Sequence, residues 1–270
     1  ILSDGPGNFL TRRVSSSGPF RAERAMQRHE LALLIIAVFA PAAGGVLSMI
    51  LPRESRGLRV ALSFGGLFAS VAALGAFVAN FGVGAPVEPV ALVPSVGMSL
   101  SFVTDGLSVF FGFLVAGIGC LIALYARAYF GKDDASLWRF YPLLGFFATA
   151  MMGVVMSDNI IALFMFWELT SVSSFLLIGW HRNDPKSVRL ALQALLTTGL
   201  GGMALLGGLV MLAIATVGPG VDGWSVSAIT RAMGAGASAD PGLIPWAFGL
   251  IFVGAGAKSA QWPLHFWLPG

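Results

Sequence analysis

The chain has 270 residues, of which 56% are hydrophobic and only 11% are charged. Soluble domains carry about a quarter charged residues, and here the apolar residues fall in runs of about 20, so a soluble globular domain is excluded. The net charge is +3, and the basic residues lie between these runs, which indicates lipid headgroups rather than nucleic acid as their partner. The single cysteine, Cys120, excludes an internal disulfide.

The first 29 residues precede the first apolar run and are basic. They carry five arginines, at positions 12, 13, 21, 24 and 28, and the chain does not begin with methionine. Met26, the first methionine, opens the stretch MQRHELALLIIAVFAP and reads as a native start. We therefore expect residues 1–25 to be an upstream translation artefact or a non-native, disordered extension. A targeting peptide is the weaker alternative, because no cleavage signal is evident.

Seven apolar segments have the length of a transmembrane helix, so the predicted fold is an all-α, polytopic bundle. The predicted spans are Leu31–Leu51, Val60–Phe81, Gly106–Ala126, Phe140–Met156, Ile160–Trp180, Val188–Val217 and Leu243–Gln261. In the longest connection, Met98, Leu100 and Phe102 alternate with polar residues, which predicts a small β-hairpin outside the membrane. Asp105 is predicted to N-cap the third span.

Lysine and arginine are concentrated in alternate connections between the spans. The first, third and fifth connections contain Arg53, Arg56, Arg59, Arg127, Lys132, Arg139, Arg182, Lys186 and Arg189. The second and fourth contain none, and the sixth contains only Arg231. The positive-inside rule therefore predicts that the odd connections are cytoplasmic and that the first span begins outside. The basic N-terminal tail contradicts this orientation if it is native.

Glu168 lies inside the fifth span, eight residues after its start. At about 1.5 Å per residue, its carboxylate lies about 12 Å into a hydrocarbon core of about 30 Å. An ionised side chain there costs about 2.5–3.5 kcal/mol, so Glu168 predicts a site on an ion or proton path. A buried partner that holds helices together is the alternative. The hydroxyl residues that follow, Ser171 among them, either support this site or bond back into their own helix.

The end of the seventh span contains a second ionisable group. Lys258, Gln261 and His265 are spaced i, i+3, i+7, which predicts one helical face. Pro263 and Pro269 lack an N–H, so each is predicted to break the helix. A proline-interrupted helix beside ionisable groups is typical of transporters with an internal aqueous cavity. The alternatives are a structural or snorkelling cation for Lys258 and a satisfied interface residue for His265.

Four segments together carry a resemblance to a known family. They are Thr104–Ser108 (TDGLS), Leu124–Phe130 (LYARAYF), Phe166–Trp180 (FWELTSVSSFLLIGW) and Lys258–Gly270 (KSAQWPLHFWLPG). From about Met26 onward, the chain resembles the antiporter-like subunits shared by complex I and the Mrp cation/proton antiporters. The WELTS form, and the HFW that follows KSAQWPL, resemble the large A-type subunit of the Mrp antiporters more than its counterpart in complex I.

The resemblance implies a transport function and a set of site residues. It implies a secondary transporter rather than an enzyme, in a bacterial cell membrane, with other membrane subunits as partners and with H⁺ and Na⁺, or alternatively K⁺, as substrates. It also implies a proton relay through Glu168, Lys258 and His265, the last just after a break in the seventh helix. Residues expected to support this relay are Gln261, Ser171, Gln193 and Arg189. No motif for a metal, nucleotide, flavin or quinone is evident, so we expect no cofactor.

The resemblance further implies a division of the chain. After the extension 1–25, residues 26–139 form the first three helices, and residues 140–270 form most of one five-helix inverted-repeat unit. Since relatives continue past the last motif, we expect this chain to be an N-terminal fragment. Two alternative functions remain: the proton-pumping subunit of NADH-quinone oxidoreductase, which genomic context would distinguish, and a non-conducting membrane scaffold.

Overall fold

The computed structural model describes residues 18–52, 55–85, 87, 89–130, 134–218 and 222–268, with side chains from 28 onward and, after residue 133, from 136 onward. Seven helices in this part of the chain are long and apolar enough to cross a membrane. The first six lie in α1 (Gly18–Ile50), α2 (Arg56–Phe81), α3 (Gly106–Tyr129), α4 (Asp134–Met156), α5 (Ile160–Ile178) and α6 (Pro185–Thr216). The seventh span, Pro241–Lys258, consists of a 3-10 turn, Pro241–Leu243, and the helix α8 (Ile244–Lys258). A short helix, α7 (Val226–Gly234), lies between the last two. The predicted all-α bundle of seven spans is therefore confirmed.

The two ends of the chain differ from their predicted boundaries. α1 begins at Gly18, so residues 18–25 of the predicted extension are helical, and a proline at position 19 is compatible with a first helical turn. Residues 1–17 lie outside the described part. At the other end, α8 stops at Lys258 rather than at Gln261. Whether residues 1–25 are native stays a prediction.

The helices pack in two connected groups. α1 packs against α2 and α4, with α3 against α2 and α4, while α6 packs against α5 and α8. α4 also packs against α5 and so joins the groups. Small residues allow close approach: a Cβ on Gly44 would lie 2.5 Å from the carbonyl oxygen of Leu62, and one on Gly254 would lie 2.6 Å from that of Gly201. Close backbone contact through small residues is how helices associate in lipid, where the hydrophobic effect does not drive them together.

One face of the bundle carries the predicted hairpin. Strand β1 (Val90–Val93) pairs antiparallel with β2 (Met98–Leu100), which confirms the prediction. Asp105 accepts a hydrogen bond from the Ser108 N–H at 2.8 Å and caps α3, as predicted. This backbone hydrogen bond, the first of its causes, holds the pKa of Asp105 below the usual value.

Three connections interlock on this face. The short link between α4 and α5 contacts both of the others. The Asp158 N–H donates to the backbone carbonyl of Ser101 at 3.0 Å, and the Val226 N–H donates to the backbone carbonyl of Asp158 at 2.6 Å. The carboxylate of Asp158 also accepts hydrogen bonds from Ser225 and Ser227. These are the connections that carry almost no lysine or arginine, so the hairpin, the link and α7 form one cap opposite the basic end of the bundle.

At the basic end, Arg59 is fully buried in the first turn of α2. Its guanidinium donates to the carbonyl oxygens of Ser48 at 3.2 Å and of Pro52 at 2.8 Å. These carbonyls belong to the C-terminal end of α1 and the residues after it, where a helix exposes unpaired acceptors and a negative partial charge. Arg59 therefore ties the first connection to both helices.

Candidate functional site

The C-terminal end of α8 contacts the middle of α5 through a polar pair. Lys258, the last residue of α8, donates a hydrogen bond from Nζ to Oγ of Ser171 at 2.8 Å. The same Nζ lies 5.6 Å from the centroid of the Trp167 ring, within the range of a cation–π contact. Ser171 is only 2% exposed. The ammonium group is thus held between a buried hydroxyl and an aromatic ring inside the bundle.

The carboxylate of Glu168 faces α6 at a point where that helix carries glycine. A Cβ on Gly202 would collide with Oε1 of Glu168, whereas one on Gly199 would lie 3.9 Å from Oε2. Oε1 is buried and has no hydrogen-bond partner among the described residues, and the same holds for Nε1 of the adjacent Trp167. An unpaired buried polar atom costs about 1–3 kcal/mol. Two consecutive residues of α5 therefore each hold a buried polar atom without a partner among the described residues.

Glu168 lies near Lys258, whose ammonium group contacts the hydroxyl of Ser171. Glu168 and Ser171 are three residues apart on α5, about 4.5 Å along the axis and on one face. Lys258 interacts electrostatically with Glu168, yet its hydrogen bond goes to Ser171. The structure thus brings the predicted Lys258 onto the predicted support residue Ser171, one helical turn from Glu168 on α5.

The other predicted residues of the seventh span do not share a face with Lys258. α8 ends there because Ala260 has a left-handed φ of 51°, and the Gln261 N–H bonds back to the Gly256 carbonyl at 2.9 Å, the pattern of a Schellman cap. The predicted common face of Lys258, Gln261 and His265 is therefore wrong, since the helix stops before the last two. Both of these side chains are exposed.

Pro263 lies within the predicted break, at the start of a short 3-10 helix, Leu264–Trp267. Two side-chain hydrogen bonds hold this segment. Gln193 of α6 donates to the Phe266 carbonyl at 2.8 Å, and the Trp267 indole donates to the Ala257 carbonyl at 2.8 Å. Gln193 therefore anchors the segment after the break, and within the described residues it makes no hydrogen bond to Glu168 or Lys258.

Arg189 lies one turn before Gln193 on α6 and is exposed. No hydrogen bond or ion pair joins it to the Glu168–Lys258 pair within the described ranges. Pro269 lies outside the residues that the structure describes. The two predictions for these residues therefore stay predictions.

Of the four hydroxyl residues after Glu168, Ser171 has an additional partner. All four donate back to carbonyls of α5, as the packing alternative predicts, and Ser171 is the one of the four that also accepts a hydrogen bond from the lysine. Sequence reasoning missed Trp167 and Gly202, for which the available signals were an aromatic residue directly before the glutamate and a glycine-rich stretch on the next span. No group of three or more histidine, cysteine, aspartate or glutamate side chains able to hold a metal occurs in the described part.

Two family models match the chain. Residues 157–270 match the model described as the transmembrane region of NADH:quinone oxidoreductase and Mrp antiporters. Residues 91–141 match the model described as the N-terminus of complex I chain 5. The first match contains Glu168, Ser171 and Lys258.

Similar proteins come from antiporters and respiratory complexes. The A1 subunit of a Na⁺/H⁺ antiporter from Staphylococcus haemolyticus is 42% identical over 177 residues, which cover 66% of this chain and 21% of that protein. The corresponding protein of Staphylococcus aureus gives the same values. The chain therefore spans about a fifth of the length of these relatives.

Solved structures give the same result at the level of the fold. A chain of the Mrp complex from Dietzia sp. superposes with a TM-score of 0.68 at 29% identity, covering 87% of this chain and 25% of that one. A chain of respiratory complex I from Thermus thermophilus superposes with a TM-score of 0.68 at 20% identity, covering 87% of this chain and 46% of that one.

Proposed function

We propose that this chain, which belongs to the family of antiporter-like membrane subunits shared by NADH:quinone oxidoreductases and Mrp antiporters, conducts protons as part of a monovalent cation/H⁺ antiporter. The observation that carries the proposal is the hydrogen bond from Lys258 to Ser171, one turn from Glu168, inside the bundle. The name of the 42% identical relatives supports Na⁺ as the exchanged cation, with K⁺ as the alternative. Other membrane subunits are the proposed partners, and a bacterial cell membrane is the proposed location.

The three residues supply the elements of a proton transfer. A lysine amine releases a proton when its surroundings destabilise the ammonium form. The Ser171 hydroxyl both accepts and donates. Its weak hydrogen bond to the Trp167 carbonyl, at 3.4 Å, must be released before the hydroxyl can take a proton from Lys258 and pass its own toward Glu168. The net step converts an ammonium and a carboxylate into an amine and a carboxylic acid. Its reversal restores the charges, and the direction depends on which other charges approach the pair.

The exposed segment after the break supplies the proposed exit from the pair. His265 lies in the 3-10 helix that Trp267 and Gln193 attach to α8 and α6. An imidazole ring has one nitrogen that accepts and one that donates a hydrogen bond, and the His265 side chain is exposed, so it can exchange protons with water or with a neighbouring protein. We propose that His265 is the next proton acceptor after Lys258, on the side of the bundle where α8 ends.

Proton pumping within an NADH-quinone oxidoreductase is the second candidate function. It is favoured by the match of residues 91–141 to the N-terminal model of complex I chain 5. In that case, the same relay would be driven by quinone reduction in partner subunits rather than by an exchanged cation. Exchange of Na⁺ for H⁺ in the absence of any electron donor would favour the antiporter over the proton pump driven by quinone reduction.

The relay is tested by ΔpH-driven Na⁺ exchange in membrane vesicles that contain the full-length gene product and its partner subunits. We expect Lys258→Ala and Glu168→Gln to lower the exchange rate about tenfold or more. Lys258→Arg should assemble and still exchange poorly, because a guanidinium does not deprotonate in proteins. Ser171→Ala should also slow exchange, since it removes the bridging hydroxyl.

Ser174→Ala is the matched control, because Ser174 bonds to Thr170 of its own helix. It should exchange at the wild-type rate. Assembly of each variant is checked by co-purification of the partner subunits. Wild-type exchange by Lys258→Arg would show that Lys258 is a fixed charge, and wild-type exchange by all variants would leave only a scaffold role.

A further inference from the structure

A groove lies at the basic end of the bundle, between the ends of α1, α4 and α5. Its volume is about 420 Å³, and its walls include Leu143 and Phe146 of α4 and Leu176 of α5. Arg139 and Arg182 line the same groove. Because Leu143 and Phe146 are four and seven residues after Arg139, they lie about 6 and 10 Å farther along α4, toward the membrane interior. The groove is therefore charged at the membrane surface and apolar below it.

Neither arginine has an acidic partner among the residues that the structure describes. The Arg139 guanidinium lies 4.7 Å from the centroid of the Trp180 ring, and its Nη2 donates to the Trp180 carbonyl at 3.4 Å. Its Nε is buried without a hydrogen-bond partner among the described residues. Arg182 is exposed, and no ion pair in the described part of the chain involves it. Stacking on Trp180 fixes the Arg139 guanidinium in place, and no acidic side chain among the described residues neutralises either arginine.

We propose that this groove binds an anionic phospholipid. The phosphate contacts Arg139 and Arg182, and one acyl chain lies against Leu143, Phe146 and Leu176. Guanidinium groups bind phosphate through paired, charge-assisted hydrogen bonds, and basic pockets between transmembrane helices are suited to lipid headgroups. The indole of Trp138, which also lines the groove, is of the kind that marks the membrane interface.

An anionic lipid fits the charged and apolar parts of the groove better than other ligands do. A free phosphate would use the arginines but not the apolar depth, and a zwitterionic lipid would bring its own positive charge to two cations. A bound lipid would fill the space between α4 and α5 and so support the helix that carries Glu168. This site is independent of the proposed proton relay, because within the described residues neither arginine contacts Glu168, Ser171 or Lys258.

The experiment uses a phosphatidylglycerol with a photoreactive group at the end of one acyl chain. It is added to nanodiscs of phosphatidylcholine that contain the full-length protein assembled with its partner subunits, and the labelled peptides are mapped by mass spectrometry. We expect labels on the α4 and α5 residues of the groove. Unlabelled phosphatidylglycerol should compete, whereas phosphatidylcholine and glycerol phosphate should not.

Variants separate the headgroup contact from the acyl contact. Arg182→Gln should lower labelling about fivefold, and Leu176→Trp, which fills the groove but keeps both charges, should abolish it. Arg127→Gln is the matched control, because Arg127 is exposed at the same end of the bundle but does not line the groove. Equal competition by phosphatidylcholine or glycerol phosphate, or an equal loss in Arg127→Gln, would overturn the proposal.

Discussion

The carboxylate of Glu168 faces α6 at Gly202, a position without a side chain. Because a Cβ on Gly202 would collide with Oε1 while one on Gly199 would meet Oε2 at an ordinary 3.9 Å, the two glycines form a matched pair. Gly202→Ala should displace the carboxylate and slow Na⁺/H⁺ exchange several-fold, at a packing cost of about 1–3 kcal/mol. Gly199→Ala should assemble and exchange normally. Both rates are measured in vesicles after a check of assembly.

Equal exchange by the two alanine variants would show that the carboxylate moves freely and that Gly202 only allows helix packing. A loss in both would point to α6 as a whole rather than to the contact with Oε1. The two glycines are three residues apart on one helix, so a general change in helix propensity affects them alike. The difference between them therefore reports on the carboxylate.

The residues of the site differ in how well the sequence predicts them. Glu168 and Lys258 could be predicted because a charge in an apolar run stands out without any geometry. Ser171 could not be separated from Ser173 and Ser174, since all three follow the glutamate on one helix. Only the hydrogen bond from Lys258, at the end of α8, selects Ser171, and that contact joins residues 87 positions apart.

At the scale of elements, the end of α8 shows why a break is easier to predict than to place. A proline without an N–H predicts an interruption near Pro263. The helix instead ends at Lys258, because Ala260 adopts a left-handed conformation that usually belongs to glycine. The sequence therefore lacked the residue that marks such a cap. As a consequence, Lys258 lies at a helix end, where it reaches Ser171, rather than within a continuous helix.

The segment after this end depends on Trp267. Its indole donates to the Ala257 carbonyl, next to Lys258, and a hydrogen bond of this kind contributes about 0.5–1.5 kcal/mol. Trp267→Phe should therefore loosen the segment 259–268 and speed hydrogen–deuterium exchange of its amides about two- to tenfold. Mass spectrometry of the intact complex measures this rate.

The control for this variant is Trp262→Phe, because Trp262 is 83% exposed and its side chain makes no hydrogen bond within the described residues. It should leave amide exchange in the segment unchanged. Unchanged exchange in Trp267→Phe would mean that Gln193, through the Phe266 carbonyl, holds the segment alone. If Na⁺/H⁺ transport also falls in Trp267→Phe but not in Trp262→Phe, the position of the segment affects the relay.

At the scale of the whole molecule, local patterns predicted the spans and the hairpin, but not how the connections meet. Hydropathy and alternation are properties of neighbouring residues, and both were sufficient for their elements. α7 and its contact with the α4–α5 link were not predicted, because Asp158 bonds to Ser225 and Ser227, which are 67 and 69 positions away. Only the folded chain shows that the three connections poor in lysine and arginine form one surface.

This shared surface gives the predicted orientation a sharp test. The even connections are joined by hydrogen bonds on one side, for instance from Val226 to Asp158, and the arginine-rich connections lie on the other. The positive-inside rule makes the arginine-rich side cytoplasmic. Asn183→Cys, in the exposed fifth connection, should then react with a membrane-impermeant maleimide only in inverted vesicles. Ala237→Cys, exposed in the sixth connection, should react in intact cells.

Background from Cys120 should be small, because this residue is buried in α3, and the unsubstituted protein measures it directly. Since the connections lie on opposite faces of one bundle, the two labelling patterns must be opposite whichever orientation holds. Labelling of Asn183→Cys in intact cells would reverse the orientation. It would also place the N-terminal arginines on the cytoplasmic side, where the positive-inside rule favours a native basic tail, and the proposed start at Met26 would lose its charge argument.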